Sequence, residues 1–90
     1  MAQTLELIQE KIDTGNEEES QIILFNDHVN SFDWVITSLI EVLDHTPEQA
    51  EQCAIIAHHK GKISVKVGEK KMLIPPAEAL GERGLTVEVE

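Results

Sequence analysis

Three hydrogen-bonding side chains in succession, Asn26, Asp27 and His28, follow an apolar run that ends in Phe25, and a helical pattern opens a few residues later near Ser31. A turn needs only one such group to bond back to its own backbone. The surplus supplies acceptors, one of them anionic, and that chemistry suits the capture of a cationic group. His58, far along the chain, offers a further ring nitrogen, and Phe32, Val35, Ala54 and Ala57 supply an apolar surface at helical spacing. Such a set could hold a ligand with a cationic end and an apolar body. The same residues also fit a plainer role, in which Asn26 and Asp27 only cap a turn while His58 and His59 sit at an exposed helix end. Composition and spacing by themselves favour that plainer role.

Two other chemistries are weaker. His28, Asp27 and Asp33 could exchange protons, but the chain carries no nucleophile elbow, no glycine-rich phosphate loop and no paired-acid framework, so an enzyme is not expected. Cys53, His58 and His59 are close in sequence, yet the five-residue step from Cys53 to His58 leaves the i, i+4 face of a helix and no further ligand follows at a recognised spacing. Neither a metal nor a cofactor is expected.

The elements that must position these residues belong to one small domain. Ninety residues suffice for a single modest core. Aliphatic side chains must fill most of it, because Phe25, Phe32 and Trp34 are the only aromatics. The net charge of −10 is uneven: residues 1–50 carry eleven acids and one base, and residues 51–90 carry six of each. Nucleic acid is excluded as a partner by the lack of a basic face. Cys53 is the single cysteine, so no intrachain disulfide can form and a reducing compartment is expected. There is no basic segment followed by an apolar run at the start and no apolar stretch that could span a bilayer, which points to a cytoplasmic location with no membrane partner.

Residues 1–20 stand apart as a flexible arm. Leu5, Leu7, Ile8 and Ile12 could line a short helix, but residues 14–20 are polar, acidic and turn-rich, so the folded domain is expected over residues 21–90. Residues 21–25 predict a strand, and Ser31 predicts the cap of a helix reaching Leu43. Thr46, Pro47 and Gln49 form a cap, a proline at the first helical position and a capping-box partner; Ala50, Cys53, Ala54 and Ala57 share a face, and Gly61 ends the helix. Ile63, Val65 and Val67 then alternate with Ser64 and Lys66 as a half-buried strand that breaks at residues 67–69. Residues 72–74 fit either a hairpin strand or a helix start, since Pro75 and Pro76 are poor in a helix interior but can open a helix ending near Gly84. Leu85, Val87 and Val89 form a last strand. The expected fold class is α+β, a small antiparallel three-stranded sheet with helices packed on one face, in the order β-α-α-β-(β)-α-β.

Asn26-Asp27 after an aliphatic strand, Phe32-Asp33-Trp34-Val35 opening a helix, and His58-His59-Lys60-Gly61-Lys62 closing a second helix resemble the ClpS adaptor family. Its pattern is Asn-Asp-Asp-x-Thr-Pro-Met-Glu-Phe-Val followed by His-x-x-Gly-Lys, and the two motifs fall here at the family's separation. The likeness covers about residues 21 to 90 and is closest through Lys62. It implies an adaptor that binds destabilising, bulky hydrophobic N-terminal residues of substrate proteins and delivers them to a ClpA- or ClpC-type AAA+ unfoldase with its ClpP protease. Asn26, Asp27 and His58, with His28 as a further candidate, would then accept the α-ammonium. Asn30, Phe32, Val35, Ala54, Ala57 and Leu85 would form the side-chain pocket. The chain departs from the pattern where His28 replaces the second Asp, Asn30 and Ser31 replace Thr-Pro, Phe32 replaces a gate-like Met, and Ala54 and Ala57 replace Met and Val. The alternative is an assembly module of similar fold, like the C-terminal domain of the ribosomal stalk protein, which reads no N-terminal amine.

Overall fold

The structure, a computed structural model, describes residues 19–90. The apolar arm residues Leu5, Leu7, Ile8 and Ile12 lie outside them. In chain order the elements are β1 (Glu19–Phe25), α1 (Phe32–Leu43), α2 (Pro47–Lys60), β2 (Lys62–Glu69), α3 (Lys70–Glu82) and β3 (Val87–Val89). The strand β1 therefore starts two residues inside the stretch expected to be linker. It lies at the centre of an antiparallel sheet of order β2-β1-β3.

Local sequence sets the two helices that flank the hinge. Ser31 accepts the Trp34 N–H at 3.0 Å and starts α1. Thr46 accepts the Gln49 N–H at 3.1 Å and starts α2, with Pro47 at its first position, where a missing N–H costs nothing. Gly61, at a φ of 96°, ends α2 in the left-handed conformation that glycine tolerates best. Thr46→Ala should lower stability by about 1 kcal/mol in urea denaturation, because the Gln49 N–H is left without its acceptor. Unchanged stability would show that water satisfies that end as well as the threonine does.

The core forms where these helices meet β1. Ile22 and Leu24 project from β1, Leu39 and Leu43 from α1, and Ala50 and Ala57 from α2, all of them buried. The small alanine face of α2 lets its backbone lie close to its neighbours. Between the helices, His45 is buried and its Nε2–H donates to the Val65 carbonyl at 2.8 Å, tying the α1–α2 connection to β2.

Two expectations need correction. Of the two readings left open for residues 72–74 the helix is the one found and the hairpin strand is not, but the helix does not open at the prolines: α3 begins at Lys70 and runs through Pro75 and Pro76. Each proline removes an N–H that would bond four residues back, leaving the carbonyls of Lys71 and Met72, which are exposed residues that water can reach. Interior proline costs about 3 kcal/mol. Leu73 and Leu80, one turn to either side of Ala77, are buried to 1% and 0% exposure and together return roughly 3 to 6 kcal/mol. Two prolines cost about 6 kcal/mol, so this burial, together with that of Ala77, is of the size needed to offset the defect. The second correction concerns Val67. Ile22 pairs with Lys66 and Ile23 with Ser64, so Val65 is an extra residue in β2, a bulge that shifts the alternation. Val65 keeps its place in the core, while Val67 is 54% exposed, and the strand continues to Glu69 instead of breaking at Val67.

Candidate functional site

The hinge of residues 26–31 is held from two sides. On one side the Asn26 N–H donates to the Gly61 carbonyl at 2.9 Å, fastening the loop to the end of α2. On the other, the Phe25 N–H donates to the Thr86 carbonyl at 2.9 Å, placing the loop beside the segment that leads into β3. Between the loop, α1 and α2 lies a cavity of about 230 Å³.

Its apolar wall comes from Leu24, Phe25, Phe32, Val35, Ala54 and Ala57, and its polar rim from Asn26, Asp27, His28, Asn30 and His58. Residues that sequence reasoning placed together are thus brought together, with one exception. Leu85 does not line the cavity; it is buried in the core, 5% exposed, where its N–H donates to the Leu80 carbonyl at the end of α3. The strand alternation of residues 85–89 put Leu85 on the helix face correctly, but that face at this end of the sheet is closed by α3. Sequence reasoning missed Leu24 and Phe25, which it treated only as strand residues.

The polar residues divide their work. Asp27 is the hub of the loop: Oδ1 accepts the Val29 and Asn30 N–H groups, both at 3.0 Å, and Oδ2 accepts the Asn30 side-chain amide at 3.0 Å and the Thr86 hydroxyl at 3.2 Å. Its carboxylate builds the fold before it meets any ligand. Partial burial is the largest single influence on this carboxyl and pushes its pKa up, but the bonds from Asn30, Val29 and Thr86 together outweigh it and hold Asp27 below its ordinary value of 3.8. A carboxyl held below its unfolded value adds stability that is complete above that value and is lost as pH falls through the folded one. As pH falls below about 4 the protein should therefore lose more stability than an Asp27→Asn variant does. Parallel melting-temperature curves for the two proteins over that range would contradict this.

Asn26 and His58 are differently placed. Both are exposed, and among the described residues neither side chain makes a hydrogen bond; His58 only stacks edge-on against His59, with ring centres 5.3 Å apart. They stand ready for an external donor. His28 lies on the same rim, also exposed. Phe32 is 42% exposed at the cavity mouth, whereas Ala54 and Ala57 are each 4% exposed at its wall. Among the described residues no three His, Cys, Asp or Glu side chains come together as a metal site, and no helix is long and apolar enough to cross a membrane. The arrangement can accept hydrogen bonds from a cation at the rim and bury one side chain below it.

A family model described as "ATP-dependent Clp protease adaptor protein ClpS" matches residues 16–88. Among solved structures, that of Agrobacterium tumefaciens ClpS2 bound to L-phenylalaninamide is similar, with a TM-score of 0.75 and 21% sequence identity over 83% of this chain and 98% of that one. At that identity the likeness is one of fold. No curated protein sequence matches the chain.

Proposed function

The chain belongs to the ClpS family of ATP-dependent Clp protease adaptors, and we propose that its cavity captures the free N-terminus of substrate proteins whose first residue is bulky and hydrophobic. It hands them to a ClpA- or ClpC-type AAA+ unfoldase and its protease, acting in the cytoplasm by binding and not by catalysis. One observation carries the reading: two polar side chains with no hydrogen-bond partner among the described residues, Asn26 and His58, stand with the Asp27 charge at the rim of an apolar cavity sized for one side chain. The α-ammonium would donate to Asn26 and His58, while Asp27, its oxygens already engaged by the loop, contributes negative charge. The first side chain would lie against Val35, Ala54 and Ala57.

Magnitudes agree with a transient adaptor. Hydrogen bonds to a charged group contribute about 1.5 to 3 kcal/mol each, and burial of a Leu or Phe side chain about 1.5 to 3 more. After the cost of association, a few such terms suit micromolar binding, about −8 kcal/mol. The test is a pair of peptides beginning with Phe that differ only in N-terminal acetylation, titrated calorimetrically. The free amine should bind at least roughly tenfold more tightly, the value of one charge-assisted bond. Equal affinities would refute amine reading and favour an assembly module of the ribosomal stalk type.

A further inference from the structure

The feature that the cavity wall does not use is the junction between α3 and β3. Resting on the reading of the cavity as an amine-binding site, we propose that Arg83, Gly84 and Thr86 are positioning residues that hold the cavity loop in its binding conformation, although none of them lines the cavity. Each holds a different residue of the loop or of the first turn of α1. The Trp34 Nε1–H donates to the Arg83 carbonyl at 2.9 Å, the Asn30 Nδ2–H₂ group to the Gly84 carbonyl at 2.8 Å, and the Thr86 hydroxyl to Asp27 Oδ2 at 3.2 Å. The Arg83 guanidinium also lies 5.5 Å above the Trp34 ring and 2.7 Å from Glu41 Oε1 on α1.

Asn30 couples this junction to the rim. Its single amide nitrogen serves both the Asp27 carboxylate and the Gly84 carbonyl. The reverse orientation would set an oxygen against these acceptors, so the amide is fixed in direction. The direction of the Gly84 carbonyl depends in turn on a φ of 90°, a conformation that glycine adopts and side-chain-bearing residues rarely do. The remaining bonds of the loop are to itself, through the Asn26 N–H to the end of α2, and through Ser31, which accepts the Trp34 and Val35 N–H groups, to the start of α1. Without the junction the loop is held only at its two ends, by Asn26 at α2 and Ser31 at α1, and residues 27–30 between them can shift. A binding constellation must be held to within about 0.5 Å of its productive geometry, so such a shift costs affinity even where the domain stays folded.

The experiment uses the full chain with Thr86→Val, which removes the hydroxyl at nearly constant shape, combined with Trp34→Phe, which removes the Nε1 donor but keeps an aromatic face under Arg83. Binding of L-phenylalaninamide is followed by calorimetry and by NMR line shape, and exchange of the Val29 and Asn30 amides is followed in the same samples. The double variant should bind roughly tenfold more weakly, through faster release, and those two amides should exchange faster. Thr86→Ser, which keeps the hydroxyl, should behave as the unaltered protein. A residue of structural importance alone would lower the melting temperature and leave affinity unchanged; wild-type affinity and release rate in the folded double variant would overturn the proposal. Should the unaltered protein fail to bind phenylalaninamide, the amine-reading function falls. Amide exchange then decides the anchor separately: faster exchange at Val29 and Asn30 supports it, and unchanged exchange overturns it.

Discussion

Asp27→Ala is expected to damage fold and binding together, lowering stability by about 2 kcal/mol and ligand affinity by roughly 10- to 100-fold. The stability loss arises because one carboxylate gathers the Val29 and Asn30 N–H groups, the Asn30 amide and the Thr86 hydroxyl. An alanine satisfies none of them. Because the loop is only half-buried, water replaces part of the loss, and the net cost stays near that of one or two bonds. Binding falls for two reasons at once: the negative charge leaves the rim, and Asn30, which lines the cavity, loses the partner that orients it. Asn26→Ala is the informative contrast. Its exposed side chain makes no hydrogen bond among the described residues, so stability should change by less than about 0.5 kcal/mol while affinity falls by about 1 to 3 kcal/mol. Urea denaturation and calorimetry on both variants separate the two roles. Wild-type stability in Asp27→Ala would mean that the loop closes without its hub, and wild-type affinity in Asn26→Ala would remove the ammonium acceptor.

That division of labour was not legible in the sequence, and the reason is distance along the chain. Asn26, Asp27 and His28 announce a loop with more polar groups than a turn requires, yet Thr86, which completes the Asp27 shell, is 59 residues away and carries no signal of its own. Features governed by neighbours were legible. The caps at Ser31 and Thr46, the stop at Gly61 and the alanine face of α2 follow from local chemistry and appear as expected. The co-location of Asn26 and His58 was legible through the family resemblance, and the apolar positions that spacing had grouped line the cavity between them, joined by Leu24 and Phe25 from the strand. What failed depended on energy balances between elements. A proline pair argues against a helix interior until the burial of Leu73 and Leu80 is set against it. A bulge leaves no mark in an alternating pattern, because the register is decided by the partner strand.

The pocket itself should prefer aromatic first residues to leucine. Ala54 and Ala57 are buried at the wall where the family pattern has Met and Val, and the space beside them is about 230 Å³. An apolar cavity of about 150 Å³ is enough to accept benzene, so this one has room for an aromatic ring. A leucine would leave part of that volume without contact and forfeit dispersion energy. The gain of Phe over Leu is worth roughly 1 kcal/mol, about fivefold in affinity, from the extra carbon area buried. Phe32 is the competing filler. It sits 42% exposed at the mouth and could fold inward over an empty cavity, but a ring arriving with the ligand would meet it edge to face and gain about 0.5 to 1.5 kcal/mol more. Ala54→Met should therefore reverse the order, since the added side chain occupies the space that the ring needs, and overpacking a closed wall costs about 1 to 3 kcal/mol for the larger ligands. Phe32→Ala should weaken every ligand and narrow the differences among them. A peptide panel that varies only the first residue, titrated against the three proteins, decides the matter. A preference for Leu over Phe and Trp in the unaltered chain would show that Phe32 already fills the cavity when no ligand is bound.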